Sequence, residues 1–294
     1  MLTDRPAEPE NPSALTMPNR RTLLAMSGLL IALLIAAPAT ALGRDLSAAD
    51  PSHSSPAKLA KAQPIGYDIS YPQCRKPFPA NPAFGIVGVN RGIVFSPNPC
   101  LGTGAGPSQL AWAGKRAELY ANTGNPGPHL SSRWPVGQAN PKRCSAQRPD
   151  SANCAYDYGW NAAADSYATA VKAYIALGWA APRSTRTPVA NHWWLDVETA
   201  NSWRANVTLN IAALQGAVAY LESVGAASVG FYSAPFMWDD ITGGTSAFAD
   251  HPTWVAGAST LKGARARCVG NGFTGGGVAL AQYLYNGFDA NYRC

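Results

Sequence analysis

The sequence predicts an α/β fold, a single closed (β/α) barrel of the TIM type with disulfide-bearing loops. The chain has 294 residues, of which 47% are hydrophobic and only 14% charged, so it can bury a sizeable core. Strand-like runs alternate with helical stretches from residue 65 onwards, which is typical of a parallel sheet, and this many units favours a barrel. All six cysteines lie in the same region. We therefore expect one domain over residues 65–294.

The first 41 residues are predicted to be a secretory signal peptide. Two arginines form a charged head, an apolar stretch runs from Leu23 to Ala37, and Ala39-Thr40-Ala41 is a small-x-small cleavage site. An uncleaved membrane anchor is the alternative, which the shortness of the apolar stretch disfavours. Residues 42–64 are rich in Ala, Ser, Pro and Lys and are predicted to be a flexible linker. We therefore expect a secreted, extracytoplasmic protein.

Short apolar runs predict the strands, and longer amphipathic or alanine-rich stretches predict the helices. The predicted strands are Ile65–Ser70, Gly85–Arg91, Glu118–Asn122, His192–Glu198, Ser228–Tyr232, Thr253–Ala256 and Val278–Tyr283. The predicted helices are Ser108–Lys115, Asp157–Leu177 and Asn206–Val224. Asn206 also opens a glycosylation sequon, but Asn is a good helix cap and that is the simpler interpretation. Residues 123–156 form a long polar excursion, and loops of this length are usually functional.

An even number of cysteines in an exported chain predicts disulfides. Short loops favour the pairs Cys74–Cys100, Cys144–Cys154 and Cys268–Cys294. A zinc site is the alternative, but no CxxC pair occurs and the four histidines are scattered.

The net charge of +6 is carried by no run of Lys and Arg. A nucleic-acid partner is therefore not expected, because dedicated binders cluster their charge. A mildly basic surface suits an anionic polymer or a cell envelope instead. No second apolar run follows the signal peptide, so we expect no membrane span in the mature protein. We also expect a monomer.

The strongest candidate for a catalytic site lies in the predicted strand His192–Glu198. Because side chains alternate along a strand, Trp194, Asp196 and Glu198 share one face, while the intervening apolar residues face the helices. Two carboxylates about 6–7 Å apart at a strand end are placed for acid–base or glycosidic chemistry. Their repulsion, with burial beside tryptophan, raises one pKa and keeps that group a proton donor. A structural ion pair or loop cap is the alternative, which few nearby cations support.

Two further acidic residues are candidates. Asp68 sits between apolar neighbours in the first strand, where a lone carboxylate is costly unless it is paired, functional or a hydrogen-bonding strut. Asp289 is predicted to follow the last strand and return to the barrel mouth, with an Asx turn as the alternative. Aromatic residues recur at the same strand ends, where their flat faces suit sugar rings, although core packing is the alternative. They are Tyr71, Tyr120, Trp194, Tyr232, Trp254 and Tyr283.

Four segments, in order, resemble the family 25 glycoside hydrolases, the lysozymes of the cellosyl and Chalaropsis type. The matching segments are Gly66-Tyr67-Asp68-Ile69-Ser70 with Gln73, Leu195-Asp196-Val197-Glu198, Gly230-Phe231-Tyr232-Ser233, and Gln282-Tyr283 followed by Gly287 and Asp289-Ala290-Asn291. The resemblance implies an irregular β/α barrel that cleaves the β-1,4 bond after N-acetylmuramic acid in peptidoglycan. It implies no metal and no cofactor.

The same resemblance implies a role for each acidic residue. Glu198 is the general acid, and Asp196 assists the substrate acetamido group or stabilises the cationic transition state. Asp68 and Asp289 orient the sugar and tune Glu198. Gln282 is expected at the substrate-binding surface.

Two strand ends depart from the family pattern. The second strand ends in Val89-Asn90-Arg91-Gly92 instead of an acidic Lys-Ala-Thr-Glu-Gly-like stretch, and the third ends in Leu119-Tyr120-Ala121-Asn122 instead of Tyr-His-Phe. We expect Asn90 and Asn122 to contact the substrate there.

The sequence therefore predicts an exported glycoside hydrolase that cleaves peptidoglycan or a related cell-envelope glycan. The alternative is a non-catalytic barrel of the same fold that binds such a glycan, because the two altered strand ends change the expected site. A serine or cysteine hydrolase is disfavoured, since no Gly-x-Ser-x-Gly occurs and the even cysteine count argues against a free thiol.

Overall fold

The computed structural model describes residues 65–114, 117–179 and 187–294. The predicted signal peptide, residues 1–41, and the predicted linker, residues 42–64, lie outside the described residues. In the described ranges, no helix is both long enough and apolar enough to span a bilayer.

Strands and helices alternate along the described chain. The strands are β1 (Gly66–Ile69), β2 (Gly85–Gly88), β3 (Glu118–Asn122), β4 (His192–Asp196), β5 (Ser228–Ser233), β6 (Thr253–Ala258), β7 (Val278–Tyr285) and β8 (Phe288–Arg293). The helices are α1 (Gln109–Ala113), α2 (Ala152–Ala176), α3 (Val207–Ser223), α4 (Pro235–Thr242) and α5 (Leu261–Arg267).

These strands close into one barrel in the order β1 to β8. Strands β1 to β7 pair in parallel with their neighbours in the sequence. Strand β8 instead runs antiparallel to both β7 and β1. The predicted fold class is confirmed, and the antiparallel closing strand is what makes the barrel irregular.

The prediction that Asp289 follows the last strand is wrong, because a further strand exists. Asn286 and Gly287 have φ values of +50° and +77° and form a two-residue turn from β7 into β8. Asp289 is the second residue of β8 and lies directly opposite Asp68 of β1. It therefore reaches the barrel mouth from a strand and not from a loop.

Other boundaries also differ from the predictions. Helix α2 begins at Ala152, five residues before the predicted start, because the Ser151 side chain caps it by accepting a hydrogen bond from the backbone N–H of Cys154. Strand β4 ends at Asp196, so Glu198 lies beyond it. The short helices α4 and α5 were not predicted. The cap interpretation of Asn206 is confirmed, since its side chain accepts from the backbone N–H of Thr208.

The apolar core has an outer and an inner part. Between strands and helices lie Trp193, Leu195 and Val197, as the alternation along β4 predicts. A second cluster fills the barrel itself; it comprises Phe84, Ile86, Trp194, Trp254 and Leu280. This packing fills the middle of the barrel and leaves its mouth open to a ligand.

All six cysteines form disulfides, and the predicted pairs are confirmed. Cys74–Cys100, Cys144–Cys154 and Cys268–Cys294 have Cα–Cα distances of 5.6, 4.5 and 5.3 Å. The second pair ties the 123–156 excursion to the start of α2. Such bridges are typical of proteins that fold in oxidising compartments.

Candidate active site

The strand ends surround a cavity of about 310 Å³, which we call the carboxylate pocket. Four acidic side chains line it: Asp68 from β1, Asp196 from β4, Glu198 from just beyond β4, and Asp289 from β8. Parallel strands bring their C-terminal ends to one side of a barrel, which is where such enzymes carry their chemistry. All four acidic residues singled out in the sequence thus lie in one pocket.

Asp196 is the most deeply placed member of its pair, with 4% of its surface exposed. The side-chain amide of Asn122 donates to Asp196 Oδ2 at 2.6 Å. The Glu198 carboxyl group is close enough to Asp196 for each group to change the pKa of the other. Burial raises the pKa of Asp196 well above its ordinary value, and the charges of Glu198 and Asp68 raise it further.

Glu198 lies half-buried on the wall of the pocket. Its backbone carbonyl accepts hydrogen bonds from Trp203 Nε1 at 2.9 Å and from the Asn201 N–H at 3.1 Å, which fix the turn after β4. Burial raises the pKa of Glu198, and the charge of Asp289 adds to this, while the hydrogen bond from Asp196 opposes it. Glu198 is therefore a carboxyl group that can hold a proton while still facing the cavity.

Asp68 is held by amides on the closing strands. Its Oδ2 accepts from Gln282 Nε2 at 3.1 Å and from Asn291 Nδ2 at 2.8 Å. Burial and the charge of Asp289 raise the pKa of Asp68 to about 7, against the lowering effect of these two hydrogen bonds. Burial also raises the pKa of Asp289. The two carboxyl groups face each other across β1 and β8, where like charges repel.

The carboxylate pocket has no positive side chain among its lining residues in the described ranges. The ion pairs that the described residues do form lie elsewhere; they are Arg204–Asp150, Arg293–Glu118 and His251–Asp250. Four carboxyl groups without a cation cannot all ionise cheaply, which agrees with the raised pKa values of all four.

A second lobe of about 230 Å³ continues the carboxylate pocket and shares its four acidic residues. Tyr120, Tyr232, Trp254 and Gln282 also line this lobe. Tyr232 OH donates to Gln282 Oε1 at 2.9 Å, so aromatic and amide groups form one connected wall. At the outer rim, Tyr71 is 39% exposed and Asn122 also lines the cavity. These six predicted binding residues therefore reach the pocket.

Three residues expected to bind substrate do not line either lobe. Trp194 points into the barrel but lies below the pocket, where its Nε1 donates to Glu118 Oε2 at 2.7 Å. Tyr283 faces the opposite side of the sheet and packs with Tyr67 and other apolar residues. Asn90 is fully buried behind Asn122. The structure does not bring these three to the surface of the pocket, because alternation and depth turn their side chains away.

Sequence reasoning missed Asn291 as a site residue. Its side chain is fully buried, donates to Asp68, and accepts from Trp254 Nε1 at 2.8 Å. The spacing Asp289-x-Asn291 contains the signal, because on a strand it places both side chains on the inner face. Recognition of β8 as a strand would have found it.

Comparison with known proteins matches the same part of the chain. A family model described as lysozyme-like protein 1 matches residues 183–264, which include both Asp196 and Glu198. A probable GH family 25 lysozyme 4 from Dictyostelium discoideum is 35% identical over 63 residues, which is 21% of this chain and 29% of the relative. The chain is similar to family 25 lysozymes. The match spans less than a third of the length of that relative.

Solved structures with a similar arrangement include a muramidase from Trichobolus zukalii and a bacterial lysozyme from Streptomyces coelicolor. The first is 17% identical with a TM-score of 0.44, over 78% of this chain and 93% of the other. The second is 15% identical with a TM-score of 0.44, over 79% of this chain and 92% of the other.

Proposed function

We propose that this chain is an exported glycoside hydrolase that cleaves peptidoglycan, in the manner of a muramidase, or a related cell-envelope glycan. One observation carries the proposal: four carboxyl groups, Asp196 and Glu198 among them, converge in one pocket whose lining residues in the described ranges include no cation. Glycosidic bonds are hydrolysed by such carboxyl pairs, in which one member must be protonated and the other charged. The resemblance to family 25 and the relative from Dictyostelium discoideum agree with this reaction.

In the proposed reaction, Glu198 donates its proton to the leaving glycosidic oxygen. It is better exposed to the cavity than Asp196, and its raised pKa keeps the proton available. Asp196, whose Oδ2 is fixed by Asn122, stabilises the cationic transition state or assists the substrate acetamido group. Asp289 raises the pKa of Glu198 through its charge, and Asp68 orients the sugar from the opposite wall.

Export is part of the proposal. Three disulfides in the described domain agree with an oxidising compartment, and the sequence before residue 42 has the pattern of a signal peptide.

The test incubates the purified protein, with its disulfides intact, with peptidoglycan and follows new reducing ends. We expect wild type to release them, and Glu198→Gln to release few or none. Glu222→Gln is the matched control, because Glu222 is exposed on α3, away from the pocket, and its loss should change nothing. Mass spectrometry of the fragments identifies the bond that is cut.

The competing function is a barrel that binds the glycan without cutting it. If wild type releases no reducing ends yet sediments with peptidoglycan sacculi, the hydrolase proposal fails and the binding function stands. Full activity of Glu198→Gln would instead show that another group is the acid.

A further inference from the structure

A separate cavity, distinct from both lobes of the carboxylate pocket, lies beside it on the side of the 123–156 excursion. It has a volume of about 230 Å³, and we call it the excursion groove. It is lined by Ile93, Val94, Phe95, Thr123, Gly124, Pro126, Leu130, Ser131, Ser132, Arg133, Tyr158, Asn201 and Ser202. Asn201 lines both cavities, and Thr123 directly follows Asn122 of the carboxylate pocket. The two cavities are therefore neighbours at the mouth of the barrel.

The groove is a built feature, because several contacts hold the excursion against α2 and α3. Trp134 stacks on Tyr158 with ring centroids 5.0 Å apart, and its Nε1 donates to the Pro149 carbonyl at 2.7 Å. Arg204 makes a bidentate ion pair with Asp150, at 2.9 and 2.6 Å. The Cys144–Cys154 disulfide closes the excursion onto α2.

The opposite wall contains a strained residue. Phe95 has a φ of +58°, a left-handed conformation that non-glycine residues adopt at a cost of about 1–3 kcal/mol. Its ring packs edge-on against Tyr158 at 5.5 Å and lies under the Arg133 guanidinium at 5.6 Å. Strain of this kind persists only where the surrounding contacts fix the side chain, as Tyr158 and Arg133 do here.

The groove and the pocket differ in chemistry. The pocket has four acidic side chains, whereas the one charged lining residue of the groove in the described chain is Arg133. No carboxylate of the described residues pairs with Arg133, so its guanidinium is available to a ligand carboxylate. The apolar walls present branched aliphatic side chains to solvent: Ile93 is 59% exposed and Leu130 is 79% exposed. Exposed aliphatic side chains beside a cation fit a ligand that carries small alkyl groups and a carboxylate.

We propose that the excursion groove binds the acidic, alanine-bearing peptide that peptidoglycan carries on alternate sugars, while the glycan strand occupies the carboxylate pocket. This inference rests on the proposed function, and it makes the protein selective for peptide-substituted glycan. The neutral sugar faces the acidic pocket, and the peptide carboxylate is kept away from it and paired with Arg133.

The experiment compares peptidoglycan strands that carry their peptides with the same strands after an amidase has removed them. For wild type, we expect a lower KM on the peptide-bearing strands. Arg133→Gln should raise the KM on these strands about fivefold with kcat unchanged, the size expected for one exposed charge pair, and should not affect the stripped strands. Leu130→Ser should act in the same direction. Arg143→Gln and Val136→Ser are matched controls, since both residues are exposed on the same excursion but outside the groove.

Three results would overturn the inference: equal KM values of wild type on the two substrates, an equal effect of Arg133→Gln on both, or the same effect from Arg143→Gln. Failure of the proposed function is visible separately, as no reducing ends from either substrate. In that case, the affinity of the protein for soluble peptide-bearing and stripped strands is measured instead. Preference for the peptide-bearing strands that Arg133→Gln removes would support the groove, and its absence would reject it.

Discussion

The side-chain amide of Asn122 donates a hydrogen bond of 2.6 Å to Oδ2 of Asp196, the buried carboxyl group that lines the carboxylate pocket together with Glu198. Asn122 is itself fixed from behind, since its backbone N–H donates to Asn90 Oδ1 at 2.9 Å, and the Asn90 amide donates to Ser166 at 3.2 Å. The two strand ends that depart from the family 25 pattern thus meet in one buried relay. This relay fixes the position of the Asp196 carboxyl group in the carboxylate pocket.

Removing the side-chain amide of Asn122 is expected to change the pKa of Asp196. Asn122→Ala takes away a hydrogen bond to the charged form of Asp196, so the pKa of Asp196 should rise further. If Asp196 must be ionised for catalysis, the acid limb of the pH–rate profile should move to higher pH and kcat at neutral pH should fall about tenfold. Asn206→Ala, which removes the N-cap side chain of α3, is a control for a general loss of stability. An unchanged acid limb would show that Asn122 does not act through Asp196.

Asp68 predicts how stability depends on pH. Its pKa in the folded protein is about 7, against an ordinary value of 3.8, so the folded state binds this proton more tightly than the unfolded state. The resulting stabilisation is fully present below about pH 4 and is lost as the pH rises toward 7, by up to about 4 kcal/mol.

Asp68→Asn removes this titration and should gain stability relative to wild type as the pH rises. Urea unfolding of both proteins at pH 4.5 and pH 7.5 measures the difference. A difference in stability between the two proteins that stays constant with pH would show that Asp68 does not titrate between pH 4.5 and pH 7.5.

The Glu118–Arg293 ion pair lies at the start of β3, at the end of the barrel away from the carboxylate pocket. Breaking this pair is expected to change stability and not catalysis. Glu118 is 3% exposed and accepts from Arg293 Nη2 at 2.5 Å and from Trp194 Nε1 at 2.7 Å. Arg293→Met should leave a buried charge without its cation and lower the free energy of unfolding by about 3 kcal/mol. Asp150→Asn breaks a pair whose carboxylate side chain is 43% exposed, against 4% for that of Glu118, and should cost less than about 1 kcal/mol. Equal costs in chemical denaturation would show that burial does not set the strength of these pairs.

Breaking the Cys144–Cys154 disulfide is expected to reduce the preference for peptide-bearing strands without stopping hydrolysis. Replacing both cysteines with serine frees the excursion, and the expected cost is about 2–3 kcal/mol in unfolding free energy. Because none of the residues that line the carboxylate pocket belongs to residues 123–156, hydrolysis of stripped glycan strands should continue below the melting temperature. The preference for peptide-bearing strands should fall. Loss of both activities in the folded variant would mean that the excursion also shapes the pocket.

Much of the barrel and its acidic pocket follows from local sequence patterns. Alternation along β4 correctly separates Trp193 and Leu195, which face the helices, from Asp196, which faces the barrel. The short spacing between cysteines correctly gave the three disulfides. These features depend on neighbours that are close in the sequence, so a single chain reveals them.

The sequence did not predict where several of the expected binding residues would lie, and each case has a physical cause. Tyr283 was expected at the site although its neighbour Gln282 already occupies the inner face, and the same alternation excludes it. Trp194 shares the face of Asp196 but lies two residues deeper, about 6–7 Å along the strand. The roles of Asn90 and Asn122 depend on β2, β3, β4 and α2 meeting in space, and no pattern within one strand contains that information.

The role of Glu198 as the general acid is tested most directly with two substrates that differ in their leaving group. Both substrates are assayed with wild type and with Glu198→Gln. A general acid is needed when the leaving group is a sugar hydroxyl and hardly at all when it is an acidic phenol. On glycan strands we expect Glu198→Gln to be about 10²- to 10⁴-fold slower than wild type. On a dinitrophenyl glycoside of the same N-acetylated sugar, the variant should retain most of the wild-type rate of bond cleavage. Equal losses on both substrates, or no loss on either, would contradict the assignment of Glu198 as the acid.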